Sequence, residues 1–434
     1  MRTSIALGLQ IFVIAAACCG GCKRNRAPQD DEPTSPLAAL NEEIRQGRWD
    51  EAWRLSDAVL NEHRDDHQVL AKLARVAFES DHPSESADLL MAACRAEAFE
   101  NETRIQQSVV AAIFVGRLLD AIDFLTDAVT AQPEQLQTRR LIFDLLMGME
   151  NRTLAEPHGR YLVLNRRFDV ELLTSLCNTG RNPPEPDSLA KIVARNPNDK
   201  RPLIPQAMIA MEQGLYADAI MKLEEILDSH PESVQSQILL GEAMVAAGKF
   251  DSLDSWADRL QGAYKDEVGY WQTLGDWASH QNDHCGAARS YWEATQRDSY
   301  VVDAWVGLRT ELNQLQDCDA NVTPETLESI DRCIERLKRL RQARHRFVRS
   351  RSISRATAVE IALILSDLGR LWEAEAWLTI ALTLPEDPST DVTAAREAVV
   401  SKMSKQTPWQ VQQGHPELQL DLSHLALPAV AHRN

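Results

Sequence analysis

Three of the chain's eight cysteines, Cys18, Cys19 and Cys22, fall within five residues in the string CCGGC. Thiols this close could hold a metal, cycle as a redox pair, form a disulfide or carry a covalent attachment. Cys19 and Cys22 make a CxxC, but no strand–helix–strand pattern surrounds them, which argues against a redox motif. No second Cys or His group stands at zinc-site spacing to complete four ligands. A second candidate is HQNDHC, where His280, Asp283, His284 and Cys285 crowd together. Two histidines four apart on a helix can share a metal. A third is RCIERLKRLRQARHRFVRSRSISR, residues 332–355, with ten Lys or Arg and one acid, Glu335. A basic amphipathic helix can bind a membrane surface, a calmodulin-like groove or nucleic acid. It can also lay Ile330, Ile334, Leu337 and Phe347 on the body and pair its arginines with the body's acids. The net charge of −18 favours that second use and disfavours nucleic acid as a partner. No GxSxG, Walker A or HExxH occurs, and no GxGxxG follows a strand. The expectation is therefore a chain without catalysis, cofactor, metal or small-molecule substrate.

The setting of CCGGC decides among its uses. Arg2 and the free amine precede an apolar run, Ile5 to Ala17. That run is shorter than the roughly 20 residues of a membrane span and fits a secretory h-region. Lys23 to Pro36 is polar with three prolines, the composition of a disordered tether. A small residue followed by Cys at the end of an h-region resembles the lipobox of bacterial lipoprotein signal peptides. The resemblance implies that residues 1–22 are a signal peptide and that Cys18 or Cys22 is lipidated. Ala15 to Ala17 precede Cys18; Gly20 and Gly21 precede Cys22, with Cys19 where an aliphatic residue is usual. It further implies a membrane-anchored lipoprotein of the cell envelope facing the periplasm. Lys23, Arg24 and Arg26 oppose export. The other cysteines, Cys94, Cys177, Cys285, Cys318 and Cys333, read as small buried hydrophobes. A Cys318–Cys333 bridge is the open alternative in an oxidising compartment.

The elements that must position any site come from internal repetition. With Val268 as position 1, Trp271, Leu274, Gly275 and Ala278 fall at 4, 7, 8 and 11; Asn282, Ala287, Tyr291 and Ala294 fall at 15, 20, 24 and 27. Shifting by 34 puts Gly248 and then Gly214 at position 15. Copies starting near Pro33, Glu102 and Arg355 place Gly47, Gly116 and Gly369 there; residues 67–97 form a poorer copy, and Val302 begins another first helix. Each copy reads as two antiparallel amphipathic helices. Gly or Ala at 8 and 20 removes bulk where the two helices touch. Gly or Asn at 15 supports a turn of positive φ. The pattern resembles the tetratricopeptide repeat. The implied fold is all-α, an α-α superhelix of about six to eight helix pairs with one inserted basic helix.

The expected organisation is a signal peptide at 1–22, a tether at 23–36, a degenerate repeat stack at 37–180 and a central stack at 187–316. The basic helix at 317–354, a last repeat and capping helix at 355–405 and an extended tail at 406–434 follow. In the tetratricopeptide family, partners bind the concave face of the first helices. Carried onto the clearest repeats, the resemblance implies partner-binding roles for Arg201, Met208, Glu212, Gln235, Glu242, Gln272, Asp276 and His280. That set lacks the clustered Lys, Arg and Asn with which some family members clamp a C-terminal carboxylate. The tail string GHPELQLDLSHLALP resembles a connector that follows the repeats in some bacterial proteins of FG-GAP and ASPIC/UnbV type. The chain thus reads as a protein- or peptide-binding scaffold. The alternatives are a cytosolic regulatory adaptor and an accessory module of a separately encoded propeller or enzyme.

Overall fold

The computed structural model describes residues 35–177, 186–260, 262–315, 322–349, 354–385, 391–405 and 420–428. Cys18, Cys22, the leader and nearly all of the tether lie outside them, as do 406–419 of the tail. Every regular element among the described residues is a helix. The first seven are α1 (Pro36–Arg45), α2 (Trp49–Arg54), α3 (Ser56–Glu62), α4 (His67–Glu79), α5 (Pro83–Ala96), α6 (Glu102–Phe114) and α7 (Leu118–Ala131). Then come α8 (Leu136–Gly148), α9 (Arg152–Leu164), α10 (Val170–Leu176), α11 (Pro186–Arg195), α12 (Ile204–Glu212), α13 (Tyr216–Ser229), α14 (Val234–Ala246) and α15 (Leu253–Arg259). The last are α16 (Val268–His280), α17 (His284–Arg297), α18 (Val302–Leu312), α19 (Pro324–Arg349), α20 (Arg355–Asp367), α21 (Leu371–Thr383) and α22 (Val392–Met403). The chain forms two compact units, Met1–Thr138 and Arg139–Asn434.

Within each unit many helices adjacent in sequence pack on each other, most closely α4 on α5, α16 on α17 and α20 on α21. The turn chemistry explains the period. Left-handed residues sit at Gly47, Asp81, Gly116 and Glu150, and again at Gly214, Gly248, Asn282 and Gly369. Each of these closes a first-to-second-helix turn, and steps of 34 residues link Gly47 to Asp81, Gly116 to Glu150, and Gly214 to Gly248 and Asn282. The contact inside a pair is equally specific. A Cβ on Gly275 would lie 2.7 Å from the Tyr291 ring, so only glycine lets α16 meet α17 this closely. Side-chain caps fix the starts of α4, α6 and α17, through Asp66, Asn101 and Asp283.

Helix α19 lays the apolar side of the basic stretch on the body. Ile330, Cys333, Ile334, Leu337, Leu340 and Phe347 are buried along one stripe against α18 and α20. Arg346 pairs with Glu360 at 2.5 Å, and Arg344 donates to the Thr174 carbonyl at 3.3 Å. Cys333 is a buried thiol outside any disulfide, so the Cys318–Cys333 bridge is not formed, whereas Cys285 is disulfide-bonded.

The second unit closes on itself. Helices α9 and α10 pack against α21, about 200 residues further on. The Trp377 indole donates to Cys177 Sγ at 3.2 Å, Arg370 donates to the Leu176 carbonyl at 2.9 Å, and Arg166 pairs with Glu375. Arg370 is buried, pairs with the equally buried Glu373 and lies 4.6 Å over the Tyr300 ring. Residues 139–177, assigned from sequence to the first stack, belong to this unit.

Candidate functional site

In the second unit the first-helix face is formed by α12, α14, α16 and α18. The expected partner-binding residues separate into two groups there. Arg201 precedes α12 in a 3-10 turn, and its guanidinium is held by Asp199 at 2.9 Å. Met208 is buried in the core and offers nothing at a surface. Gln235 is spent within the chain, since its amide donates to the Met149 carbonyl at 2.8 Å. Met208 is thus in the core, while Arg201 and Gln235, both half-buried, already have partners within the chain. Glu212, Asp276 and His280 are exposed, and Glu242 and Gln272 half-buried. His280 stacks on Phe250 with ring centroids 3.7 Å apart.

The accessible part is acidic. Partial burial pushes the Asp276 carboxyl above its ordinary value; a hydrogen bond from Tyr291 opposes this, and Glu242, Asp303 and Glu311 add to it. The Tyr291 hydroxyl donates to Asp276 Oδ1 at 2.5 Å, and burial followed by the Asp276 charge pushes its own value up. Glu267 is raised by burial, then by Asp266 and Glu242. Carboxylates from α14, α16 and α18 therefore lie near enough to Asp276 to act on it. Glu311 is buried and held by Ser279 and by His284 Nδ1, each at 2.7 Å. Sequence reasoning missed Asp303, although Val302 as position 1 puts it at position 2, an inward position. The HQNDHC residues are all engaged elsewhere: His280 on Phe250, Asp283 as the α17 cap, His284 on Glu311 and Cys285 in its disulfide. No group of three or more His, Cys, Asp or Glu among the described residues is placed to hold a metal.

The first unit carries a different surface. A cavity of about 400 Å³ opens between α1, α2 and α4, with Ile44, Trp49 and Val76 as its apolar part and Arg45, Lys72 and Arg75 as its cationic part. The Arg75 guanidinium lies 5.5 Å over the Trp49 ring, and Asn41 accepts from Lys72 Nζ at 2.6 Å. Beside Arg75 in sequence, Phe78 is 57% exposed. Its ring meets that of Phe114 edge-on at 6.3 Å, and Val110 is exposed on the same helix as Phe114. Counting His67 and Glu102 as position 1 puts Arg75 and Val110 at 9, Phe78 at 12 and Phe114 at 13. Position 9 is that of Met208, Glu242 and Asp276 in the central repeats, and position 13 that of Glu212 and His280. The cluster of Lys, Arg and Asn absent from the central groove is thus present here.

No family model matches the chain, and no curated protein matches it. Among solved structures it is similar to the crystal structure of the APC/C hetero-tetramer Cut9–Hcn1, at 13% identity over 86% of this chain and 78% of that one, with a TM-score of 0.30. It is also similar to yeast Tom70, at 12% identity over 85% and 96% of the two chains, with a TM-score of 0.28. Scores this low add nothing to the fold argument, which rests on the turns and helix pairs described above.

Proposed function

We propose that this chain is a non-catalytic protein-binding scaffold whose first unit captures an acidic segment through one apolar anchor residue. The cavity between α1, α2 and α4 carries that reading. It combines apolar walls with three cations in a chain whose net charge is −18. An apolar side chain filling it gains about 1.5–3 kcal/mol, and flanking carboxylates meet Arg45, Lys72 and Arg75. The acidic first-helix face of the second unit, with Glu242, Asp276 and Asp303, suits a basic segment instead. The test is a peptide-binding titration on the full chain with acidic and basic peptides, each carrying one Leu or Phe. Lys72→Glu with Arg75→Glu should weaken the acidic class at least about tenfold, near 1.4 kcal/mol. Glu242→Lys with Asp276→Lys should leave the acidic class unchanged and weaken the basic one. Acidic-peptide binding that ignores the first pair of substitutions sinks the cavity assignment.

The lipoprotein reading is part of the same proposal, with Cys18 or Cys22 as the lipid carrier and the envelope as the location. The disulfide at Cys285 fits the export part of that reading alone, since disulfides persist in oxidising compartments. No helix among the described residues is long and apolar enough to cross a membrane. Metabolic palmitate labelling of Cys18→Ala and Cys22→Ala chains identifies the carrier. Absence of label in the unsubstituted chain favours the adaptor alternative.

A further inference from the structure

The tail string singled out in the sequence has a docking site of its own. Residues 420–428, LDLSHLALP, lie on the outward face of α17, away from the first-helix face. Arg289 Nη1 donates to the Leu422 carbonyl at 2.9 Å, and the Trp292 indole donates to the Leu420 carbonyl at 3.0 Å. Leu422 is 1% and Leu425 8% exposed, and Pro428 is buried as well, so every third residue points inward. Asp421, Ser423, His424 and Ala426 point outward. The Ser423 amide and hydroxyl hold the Asp421 carboxyl below its ordinary value, and His424 and Arg289 hold it lower still.

The receiving side is built before the tail arrives. Arg289 Nε bonds Glu293 at 3.0 Å, and its Nη2 pairs with the same carboxylate. Glu293 is fixed from the other side by Arg297 at 2.5 Å. Arg297 is locked in turn by the Lys265 carbonyl at 2.6 Å and by the Trp271 ring at 4.7 Å. This ladder leaves one edge of Arg289 aimed at the tail, with the Trp292 indole one helical turn on. Two donors reading main-chain carbonyls, beside buried leucines, are the elements of peptide recognition through backbone and side-chain pockets together.

We propose that the outward face of α17 is a peptide-recognition site and that residues 420–428 are its tethered ligand, separable from the fold. The class of ligand is a turn-forming segment with two leucines three apart, the second donating its amide to the first's carbonyl at 3.0 Å, and with carbonyls offered at the first leucine and two residues before it. Residues 406–419, fourteen in all, join this segment to the last helical region. Covalent connection of this kind gives an effective concentration of the order of millimolar, enough to keep a modest site filled.

The experiment uses the full chain and a labelled peptide of residues 418–430, read by fluorescence anisotropy. The Leu422→Ala, Leu425→Ala chain should bind the peptide saturably, and the unsubstituted chain at least about tenfold more weakly. Adding Arg289→Met and Trp292→Phe to the first variant should abolish the binding. Equal binding to all three chains, or none to the first variant, overturns the site. A second arm avoids substitutions in the packed region: a protease site placed within 406–419 is cut after folding. The cleaved tail should then exchange with excess labelled peptide; a tail that never exchanges is part of the core, and the proposal fails. A dimer that the two alanines dissolve upholds the site, with the tail of a second copy as occupant.

Discussion

Gly275→Ala sets two physical effects of opposite sign against each other. In an exposed helix the change stabilises by about 1 kcal/mol, because alanine has less backbone entropy to lose. At this position the new Cβ would lie 2.7 Å and 2.8 Å from two carbons of the Tyr291 ring. The ring has nowhere to go. A Cβ on Gly307 of α18 would lie 2.6 Å from the same ring, so backbone flanks it on both sides. Tyr291 is only 6% exposed, and its hydroxyl is engaged by Asp276. Overpacking of this kind costs about 1–3 kcal/mol. The net effect is therefore a loss of up to about 2 kcal/mol, and more if the tyrosine breaks its bond to Asp276. Denaturant unfolding reads the total, and hydrogen exchange over α16 and α17 localises it, since stacked repeats open in parts. In a Tyr291→Leu background the same Gly275→Ala change should become stabilising, with a coupling of about 1 kcal/mol or more across the cycle. A Gly275→Ala chain more stable than the original by about 1 kcal/mol, or a cycle without coupling, refutes the close-contact reasoning.

Other outcomes follow from the same geometry. Arg370→Leu should cost about 3–5 kcal/mol by stranding the Glu373 charge, and adding Glu373→Leu should recover much of it; equal losses in both chains would contradict a buried pair. Asp276 has a raised carboxyl, so its contribution to stability is present below the ordinary value of 3.8 and lost as pH rises through the folded one. Asp276→Asn should therefore stabilise at neutral pH and make no difference in strong acid, as read by unfolding midpoints across pH. Burial, then the Arg139 charge, pulls His158 down from 6.5 to about 4. Stability should accordingly fall as pH drops through that window, and His158→Gln should flatten the fall. Cys94, Cys177 and Cys333 are buried, and burial pushes the first two thiols up to about 11. They should resist a thiol reagent until unfolding, and prior reduction should add the Cys285 thiol and its partner to the count of the unfolded chain.

The helix pairs were legible because their physics is local. A turn that needs positive φ wants Gly or Asn, and Gly47, Gly116, Gly214, Gly248, Asn282 and Gly369 mark it in the sequence itself. Asp81 and Glu150 adopt the same conformation without that signature, and residues 67–97, which hold Asp81, accordingly read as a poor copy. The accessible acids on the central first helices were legible from register alone. The losses from the expected site were not. Gln235 is consumed by the Met149 carbonyl, a contact across 86 residues that no period announces. Arg45, Lys72 and Arg75 are spread over two repeats, and only the folding of α1 and α2 onto α4 gathers them around Trp49. The role of the tail string depends on Arg289 and Trp292, over 120 residues before it.

The return of α9 and α10 to α21 alters how the second unit can come apart. An open row of helix pairs has two frayed ends, and either can be peeled away at the cost of a single interface. Here the Arg370 and Trp377 contacts join an early pair to a late one, so removing either uncovers two interfaces at once. Inserting or deleting a repeat between α12 and α18 would shift the late helices relative to α10 and break that junction. The number of repeats in this unit is thus fixed by closure, where in a row it would be free to drift.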